Sequence, residues 1–396
     1  MNLVKAELVS FNSPTELKTL LSAQGLCVSV YLPLSTNTKA GTNRNAKENE
    51  LHWRECLRTL DNKTTQFGAA GRELVESLYG WDLIGESAES GMAQRKSLAV
   101  FRSSNLLQVS LLDRPVAQRA VLGSRFYIRP LLGELVRFRN FYLLALSQKN
   151  TRLLRCTTHT SEEISFPPGL NTDFEKWMNQ VKPDHNAVYN AMTGSAQISG
   201  SPSALAPKGA DQDSKDQYLS HYFKQIDRGV NETLKGKTEP VVLCGVEHEI
   251  SLYREINRYP HLASEEVLGA PNSLKAGEMH ARAIEALERC YAAKVERTIA
   301  DWNHRVGAGA SSRLADILTA VREGRVLTLL VSDSQEQGGL FDEERSPVNT
   351  PGAARTVEED LVNEAAVEAI LHAGNILVVP HRRMPNGSAL AAIFRY

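Results

Sequence analysis

The order of apolar and polar residues predicts alternating strands and helices in the first part of the chain. β-Branched and aromatic residues predict a strand at residues 26–34, after a short helix at residues 15–22. Leucines at helical spacing predict helices at residues 45–60 and 69–83. Three short strands are then predicted in the runs SLAVFRSS, LLQVSLLD and AVLGSRFYIRP. This mixture predicts an α+β domain over residues 1–130.

A second pattern begins at residue 131, where a short apolar helix leads into a hairpin. The apolar run FYLLAL, a turn at residues 148–150 and the run RLLRCTT predict two antiparallel strands. Residues 240–247, PVVLCGVE, are almost all apolar, which is typical of a strand buried on both faces. A helix is predicted after that strand, at residues 248–259. Alternating strands and helices predict an α/β domain over residues 131–275.

The last part of the chain begins with the longest helical pattern, at residues 274–306, which we expect to link the middle domain to a third. Next come a helix at residues 312–322, a strand in VLTLLVSD, a polar insertion around QGGLFDEERSPVNTPG, a helix at residues 357–372, and strands in NILVVPHR and SALAAIFRY. This order predicts a small α/β/α sandwich over residues 276–396. The predicted fold class is therefore mixed α/β, with three domains.

Residues 183–213 interrupt these patterns with three glycines, three prolines and no sustained period. We expect a long flexible loop here, with residues 190–213 as the most mobile long segment of the chain, because few apolar side chains offset the entropy of ordering them. Loops of this length are uncommon in compact proteins unless they are functional or disordered, and a disordered surface insertion is the simpler interpretation. A partly basic helix is predicted at residues 214–234.

Composition narrows the class of protein. The formal net charge is −1, so no global basic field attracts nucleic acid, and any RNA contact must come from a local patch. The five cysteines lie apart, without a C-x-x-C pair or a histidine at zinc-ligand spacing, so neither a disulfide framework nor a zinc site is indicated. This cysteine usage fits a reducing cytoplasm.

The sequence lacks the motifs of several enzyme classes. It contains no G-x-x-x-x-G-K-[ST], G-x-G-x-x-G, G-x-S-x-G or H-E-x-x-H, which disfavours nucleotide hydrolysis and zinc chemistry. The first residues lack a basic segment followed by a long apolar core, and no apolar run has the length of a membrane span. We therefore expect a cytoplasmic protein without a cofactor or a membrane partner.

Two blocks of the sequence resemble a known family. The block from residue 360, DLVNEAAVEAILHAGNILVVPHRRMPNGSALAAIFRY, combines an EAA helix, Gly374 before a strand, the turn PHRRMP and the closing strand AAIFRY. The other block is SLAVFRSSNLLQVSLLDRPVAQRAVLGSRFYIRPLLGEL with FYLLALSQKNTRLLR after it. Both are similar to bacterial relatives of the archaeo-eukaryotic peptide-chain release factors and Pelota-type ribosome rescue factors.

The resemblance implies a three-domain translation factor that occupies a tRNA site in termination, rescue or hibernation. Its partner is then the ribosome, with rRNA and tRNA and not DNA, and whether a translational GTPase takes part is left open. In true release factors the loop that corresponds to residues 183–213 carries Gly-Gly-Gln and enters the peptidyl-transferase centre. Glycines let the backbone approach the ester, and the amide side chain stabilises charge that develops on the carbonyl oxygen.

This sequence departs from that motif, because it contains no Gly-Gly-Gln. The nearest match in the loop is Gly194-Ser195-Ala196-Gln197, which makes Gln197 the candidate catalytic residue for peptidyl-tRNA hydrolysis. A coincidence in a low-complexity loop is the alternative. The candidate RNA-binding residues are Gly194, Gly200, Lys208, Lys215, Lys224, Arg382 and Arg383. Gly338 and Gly339 follow Gln337 in the last domain, where we expect only a flexible turn.

Three other groups are weaker candidates. Glu247, His248 and Glu249 follow the buried strand, where α/β domains place ligand-binding groups, but a solvated helix N-terminus with acidic residues is the simpler explanation. His221 is a candidate for stacking on a nucleotide, with packing or solvation as the alternative. Lys39, Arg44 and Lys47 form a small basic group in the first domain.

These observations leave two functions within the family and one outside it. The absence of Gly-Gly-Gln favours a protein that binds the ribosome without chemistry, whereas the retained long loop favours hydrolysis of peptidyl-tRNA. An RNA-binding or RNA-processing factor that acts off the ribosome, without release activity, is the alternative.

Overall fold

The computed structural model describes residues 7–8, 17–23, 25–35, 42–79, 96–135, 140–181, 208–335, 338–339 and 359–396. The contacts divide the chain into two compact units. The first unit consists of Met1–Arg139 together with Ala293–Tyr396, and the second unit is Asn140–Ala292. Both units combine sheets with helices, which confirms the mixed α/β fold class. The division into three domains at residues 130 and 275 stays a prediction.

The first unit begins with a five-stranded sheet in the order β1-β4-β3-β2-β5. Its strands are β1 (Glu7–Leu8), β2 (Cys27–Pro33), β3 (Ser97–Ser103), β4 (Leu107–Leu112) and β5 (Arg119–Gly123). The helices of this region are α1 (Lys18–Leu21), α2 (Thr42–Thr64), α3 (Gly68–Tyr79) and α4 (Arg129–Leu135). The predicted strands and helices are found where the structure describes them, but the strand predicted in AVLGSRFYIRP is confirmed only in its first part, because β5 ends at Gly123 and Arg129 already belongs to α4.

Alternate side chains of β2 belong to two different cores. Val28, Val30 and Leu32 pack with residues of α2 and α3. On the other face, Tyr31 joins a core that also contains Val362, from the carboxyl-terminal part of the chain. The two ends of the chain therefore share one core in the first unit.

The carboxyl-terminal part of the first unit is built on a four-stranded sheet in the order β11-β16-β12-β15. Its strands are β11 (Ala310–Ser311), β12 (Val326–Ser332), β15 (Asn375–Val379) and β16 (Leu390–Phe394). β13 (Gly338–Gly339) pairs with β14 (Glu359–Asp360), so the expected glycine turn is a short strand. The helices are α9 (Leu314–Arg322), α10 (Leu361–Leu371) and the end of α8 (Ala276–Arg305).

Both faces of this sheet are covered. Leu329 and Val331 of β12 share a core with α9 and α10. Leu330 and Ile393 point to the other face and are buried as well. β15, predicted in the run NILVVPHR, pairs in parallel with β12 of this sheet and not with the amino-terminal sheet.

The second unit contains a sheet in the order β10-β9-β6-β7-β8. Its strands are β6 (Asn140–Ala145), β7 (Arg152–Thr157), β8 (Ser161–Ile164), β9 (Val241–Gly245) and β10 (Val267–Leu268). Strands β6, β9 and β10 are parallel neighbours, and β6 and β7 form the predicted hairpin. The helices are α5 (Phe174–Val181), α6 (Lys208–Thr233), α7 (Glu247–Ile256) and the first part of α8.

Strand β9 is buried on both faces, as its apolar sequence predicts. Leu243 packs in a core with Tyr222 and Phe223 of α6. Val242 packs on the opposite face with Met279 of α8.

The predicted loop at residues 183–213 lies partly outside the described residues, including Gly194, Gln197 and Gly200. Its last residues are helical, because α6 begins at Lys208 and not at residue 214. No proline follows Pro207 in this stretch, so the helix can extend back to Lys208 despite the single Gly209. Lys39 also lies outside the described residues, whereas Arg44 and Lys47 belong to α2.

Candidate functional site

The parallel strands of the second unit end at one edge of the sheet, and polar residues follow each of them. Gln148 comes after β6, Glu249 comes after β9, and Asn272 comes after β10. In α/β folds, ligand-binding groups lie outside the carboxyl ends of the strands. This edge therefore carries the candidate functional site.

A chain of hydrogen bonds connects this edge to helix α6. The Asn272 amide Nδ2 donates to the Ser147 hydroxyl at 2.8 Å, and the Thr151 hydroxyl donates to the Ser147 carbonyl at 2.9 Å. Tyr222 donates its one proton to the Thr172 carbonyl at 2.5 Å, so its oxygen, 3.0 Å from the Thr151 hydroxyl, is an alternative acceptor to the Ser147 carbonyl for the single Thr151 proton. Ser147, Thr151 and Tyr222 are buried, so these bonds are shielded from water.

Glu249 is a buried carboxylate, with 6% of its surface exposed. The Gln148 amide Nε2 donates to its Oε1 at 3.1 Å. Burial raises the pKa of Glu249, while the Gln148 hydrogen bond and the charges of His248 and Lys215 act in the opposite direction. The hydrogen bond from Gln148 thus fixes the position of the Glu249 carboxylate.

Glu247, His248 and Glu249 were expected to form a solvated helix N-terminus, and this holds for only two of the three. Glu247 and His248 are exposed in the first turn of α7, in agreement with it. Glu249 is buried, because α7 packs the face that carries Glu249 and Tyr253 against the unit. The spacing of these two residues, one helical turn apart, is the sequence signal that identifies Glu249 as inward-facing.

A second contact joins α7 to the amino-terminal half of α6. The His248 Nε2 lies 2.9 Å from the Asp216 Oδ1, with both side chains partly exposed. Together with Tyr222, this contact fixes α6 against the edge of the sheet. Leu219 is the first described residue of α6 in the core, about 16 Å along the helix axis from Lys208.

The structure separates the candidate lysines of α6. Lys215 and Lys224 are both exposed, but nine positions on a helix correspond to about 180° of rotation, so they lie on opposite faces. Lys215 lies on the same face as Tyr222 and acts electrostatically on Glu249. Lys224 shares an exposed face with His221 and Arg228, and we call Lys224 and Arg228 the cationic stripe. The side chain of Lys208 is outside the described part of the chain.

The candidate arginines Arg382 and Arg383 lie in the first unit, in a short turn after β15. Both are exposed, and Arg383 forms an ion pair with Glu296 of α8. Its charge is therefore partly compensated within the fold. Arg382 is the better candidate of the two for a contact with a phosphate.

The described residues at this edge of the sheet hold helix α6 in place through hydrogen bonds and packing. Within the ranges that the structure covers, no group of three or more His, Cys, Asp or Glu side chains is placed to hold a metal ion. No helix in those ranges has the length and apolarity that a membrane span requires. Burial raises the pKa of the Tyr222 hydroxyl well above its ordinary value, so this group stays protonated as a hydrogen-bond donor.

The second unit also carries the main sequence similarity. Residues 140–325 match the family model described as bacterial archaeo-eukaryotic release factor family 3. The match confirms the resemblance inferred from the sequence, and it includes the whole release-factor-like second unit with its sheet and α6. No curated protein matches the chain.

The chain is also similar to several solved structures. The archaeal translation termination factor aRF1 is 13% identical, with 98% of this chain and 99% of that chain covered and a TM-score of 0.23. A model of ribosome-bound archaeal Pelota and ABCE1 contains a chain that is 12% identical, with coverage of 98% and 95% and a TM-score of 0.40. Dom34 of S. cerevisiae, described as a translation termination-like factor that interacts with Hbs1, is 11% identical, with 73% coverage of both chains and a TM-score of 0.33. At these TM-scores the family match, and not the structural similarity, supports the argument on function.

Proposed function

We propose that this release-factor-like chain is a cytoplasmic translation factor that binds the ribosome in a tRNA site. It then acts in termination, in rescue of stalled ribosomes or in hibernation of idle ones. The single observation that carries this proposal is the family match over residues 140–325. The geometry supports it, because the matched region contains a long helix with an exposed cationic stripe.

In this proposal the cationic stripe of α6 contacts rRNA or tRNA phosphates. The Lys224 and Arg228 side chains are exposed and share one helix face, so both charges can neutralise phosphates of the same nucleic-acid backbone. Lys215 has a different role, because it lies on the opposite face beside Glu249. The two lysines therefore need separate variants.

The test is co-sedimentation of the purified protein with ribosomes over a range of salt concentrations. Replacing Lys224 and Arg228 by Ala should weaken binding and reduce the salt slope by about 0.7 to 0.9 for each phosphate that the protein no longer neutralises. The double variant of Lys237 and Lys275, which are exposed elsewhere in the second unit, removes the same charge and should bind like wild type. Equal weakening in both double variants would contradict a specific role of the stripe.

The same experiment separates the alternative function. A factor that acts off the ribosome would bind RNA fragments in a salt-dependent way and would not sediment with ribosomes. Finding the protein with ribosomes, in a map that places it in a tRNA site, would support the main proposal.

Peptidyl-tRNA hydrolysis is a second candidate function, favoured by one observation. Gly194-Ser195-Ala196-Gln197 lies between α5 and α6, before the helix that the hydrogen-bonded edge supports. Ester hydrolysis needs a backbone that approaches the ester closely and an amide that donates a hydrogen bond. Small residues followed by a glutamine supply both. Gln197 lies outside the described residues, so the test of this second function is substitution of Gln197.

A further inference from the structure

Arg102, near the end of strand β3, carries a positive charge that is almost completely buried. Only 9% of its surface is exposed. Its neighbours on the adjacent strands are Val28 of β2 and Leu107 of β4, both buried, so apolar side chains flank the stem of the arginine. Arginine is seldom buried to this extent without a partner of opposite charge. Its contacts therefore show whether the fold supplies such a partner.

The hydrogen-bond partners of the Arg102 guanidinium are neutral. Its Nε donates to the Ser77 hydroxyl oxygen at 3.0 Å, and its Nη1 donates to the Leu106 carbonyl at 3.3 Å. The Ser77 hydroxyl gives its own proton to the Leu74 carbonyl at 2.6 Å, so it acts toward Arg102 as an uncharged acceptor. Two uncharged oxygens thus hold the guanidinium in place without neutralising it.

No carboxylate among the described residues neutralises Arg102 either. Glu73 and Glu76 precede Ser77 in α3, but both are exposed and neither affects the pKa of Arg102. Burial alone lowers that pKa, as expected for a cation that is removed from water without a counter-ion. The described part of the chain therefore leaves this charge without an anion.

The carboxyl end of helix α3 compensates the charge only in part. Ser77 lies in the last turn of α3, where the free carbonyl groups form the negative end of the helix dipole. That end is equivalent to about half an elementary charge, so roughly half of the charge on Arg102 is left over. A contact with a helix terminus is therefore an incomplete explanation of this buried arginine.

One nitrogen of Arg102 is available to a ligand. A guanidinium has five N–H groups, and the contacts with Ser77 and Leu106 use two of them. Nη2 bonds to none of the described residues and still reaches the surface. Ser104 and Asn105 are exposed at the tip of the hairpin between β3 and β4, where they add a hydroxyl and an amide donor close to Arg102 in the chain.

We propose that Arg102 binds a phosphate group, carried either by RNA or by a small phosphorylated molecule. Arginine forms strong, charge-assisted hydrogen bonds to phosphate oxygens, and the apolar surroundings of its stem strengthen them. A phosphate group keeps further oxygens for the donors at the hairpin tip, whereas a carboxylate has only two oxygens in all. The site belongs to the first unit and does not depend on the proposed contacts of α6.

Thermal melting of the full-length protein in increasing inorganic phosphate tests the proposal, with sodium chloride at matched ionic strength as the reference. A ligand that binds the folded state raises the melting temperature according to its concentration relative to Kd. Phosphate also stabilises proteins by exclusion from their surface, but this effect does not saturate and is common to all variants. Arg102→Met keeps an apolar stem and removes the charge. It should weaken the affinity derived from the saturable part about tenfold or more, the effect of losing a hydrogen bond from a charged group.

Arg72→Met is the matched control, because Arg72 is an exposed arginine of α3 and its loss removes the same charge. It should keep the saturable response of wild type. A wild type without that response, an equal affinity in Arg102→Met, or an equal response to acetate would each overturn the proposal. If Arg102→Met does not melt cooperatively, Arg102→Lys replaces it. Its single nitrogen must also serve Ser77 and Leu106, so a lower phosphate affinity would support the proposal and an equal one would overturn it.

Binding of a short single-stranded RNA, followed by fluorescence anisotropy, identifies the source of the phosphate group. If the site takes a phosphate of RNA, Arg102→Met should weaken RNA binding as well, and Arg72→Met should not. If Arg102→Met loses only the response to inorganic phosphate, the ligand is a small phosphorylated molecule. RNA binding that falls equally in both variants, with an unchanged response to inorganic phosphate, would exclude a site at Arg102.

Discussion

Asn363 accepts a hydrogen bond from the backbone nitrogen of Ile128 at 2.7 Å, across a sequence separation of 235 residues. Its amide Nδ2 also donates to the Phe126 carbonyl at 3.1 Å. Asn363 is buried in the first turn of α10, so one side chain satisfies two backbone groups that water does not reach. Beside it, the Arg129 guanidinium lies 2.9 Å from the Asp360 carboxylate.

These contacts predict that Asn363→Ala destabilises the first unit. The substitution leaves a buried backbone donor and a buried acceptor without partners, which costs about 1–3 kcal/mol for each group. Urea denaturation should therefore show a lower free energy of unfolding. Asn62→Ala, at an exposed position of α2, should change that free energy by less than about 0.5 kcal/mol. Equal effects of the two variants would contradict the role of Asn363.

The contact between Asn363 and Ile128 also marks a limit of prediction from sequence. The strand at β2 and the buried strand β9 follow from local spacing, because their apolar runs fix which faces are covered. The amino-terminal and carboxyl-terminal parts of the chain share one core, and which of their surfaces meet is decided only after the helices and strands have formed. No local spacing encodes that choice.

The candidate site could be predicted only in part for a similar reason. The position of Glu249 after a buried strand follows from the sequence, but its hydrogen bond to Gln148 joins two strand ends and needs the sheet order. By contrast, the opposite faces of Lys215 and Lys224 follow from helix geometry alone. The position of Gln197 stays a prediction, because it lies outside the described residues.

The pKa of Glu249 predicts a pH-dependent effect of Glu249→Gln. Burial raises the pKa in the folded state above the ordinary value of 4.5, so the carboxylate form opposes folding at neutral pH and the protonated form does not. The variant stays neutral at every pH and keeps an oxygen that accepts from Gln148. It should be at least as stable as wild type at pH 7, and this advantage should disappear as the pH falls below 4.5.

Urea denaturation of both proteins at several pH values measures this difference. Asp227 is another buried carboxyl whose pKa is raised by burial, but it is present in both proteins and cancels in the comparison. An advantage of Glu249→Gln that grew toward acidic pH would contradict the sign of the shift.

The hydrogen bonds of Tyr222 predict that Tyr222→Phe loosens α6. The variant keeps the ring in the core but removes the hydroxyl that donates to the Thr172 carbonyl and contacts Thr151, while the Thr151 backbone nitrogen still donates to that carbonyl at 2.8 Å. We expect a decrease of about 1 kcal/mol in the free energy of unfolding, together with faster amide exchange in α6. Tyr396→Phe, at a tyrosine that is 82% exposed, is the matched control, and slower or unchanged exchange in α6 of Tyr222→Phe would show that the bond does not hold the helix.

The last prediction separates ribosome binding from catalysis. If Gln197 stabilises the transition state of peptidyl-tRNA hydrolysis, Gln197→Ala should lower the rate by roughly 10² to 10³, the usual effect of removing one donor to a developing oxyanion. Ribosome binding should not change, because the substitution removes no charge. Gln217→Ala, at an exposed position of α6, is the matched control and should keep both properties. Single-turnover release of a labelled peptide from ribosome-bound peptidyl-tRNA measures the rate. Wild type without activity above background would leave binding as the function, and activity that survives Gln197→Ala would exclude this glutamine as the catalytic group.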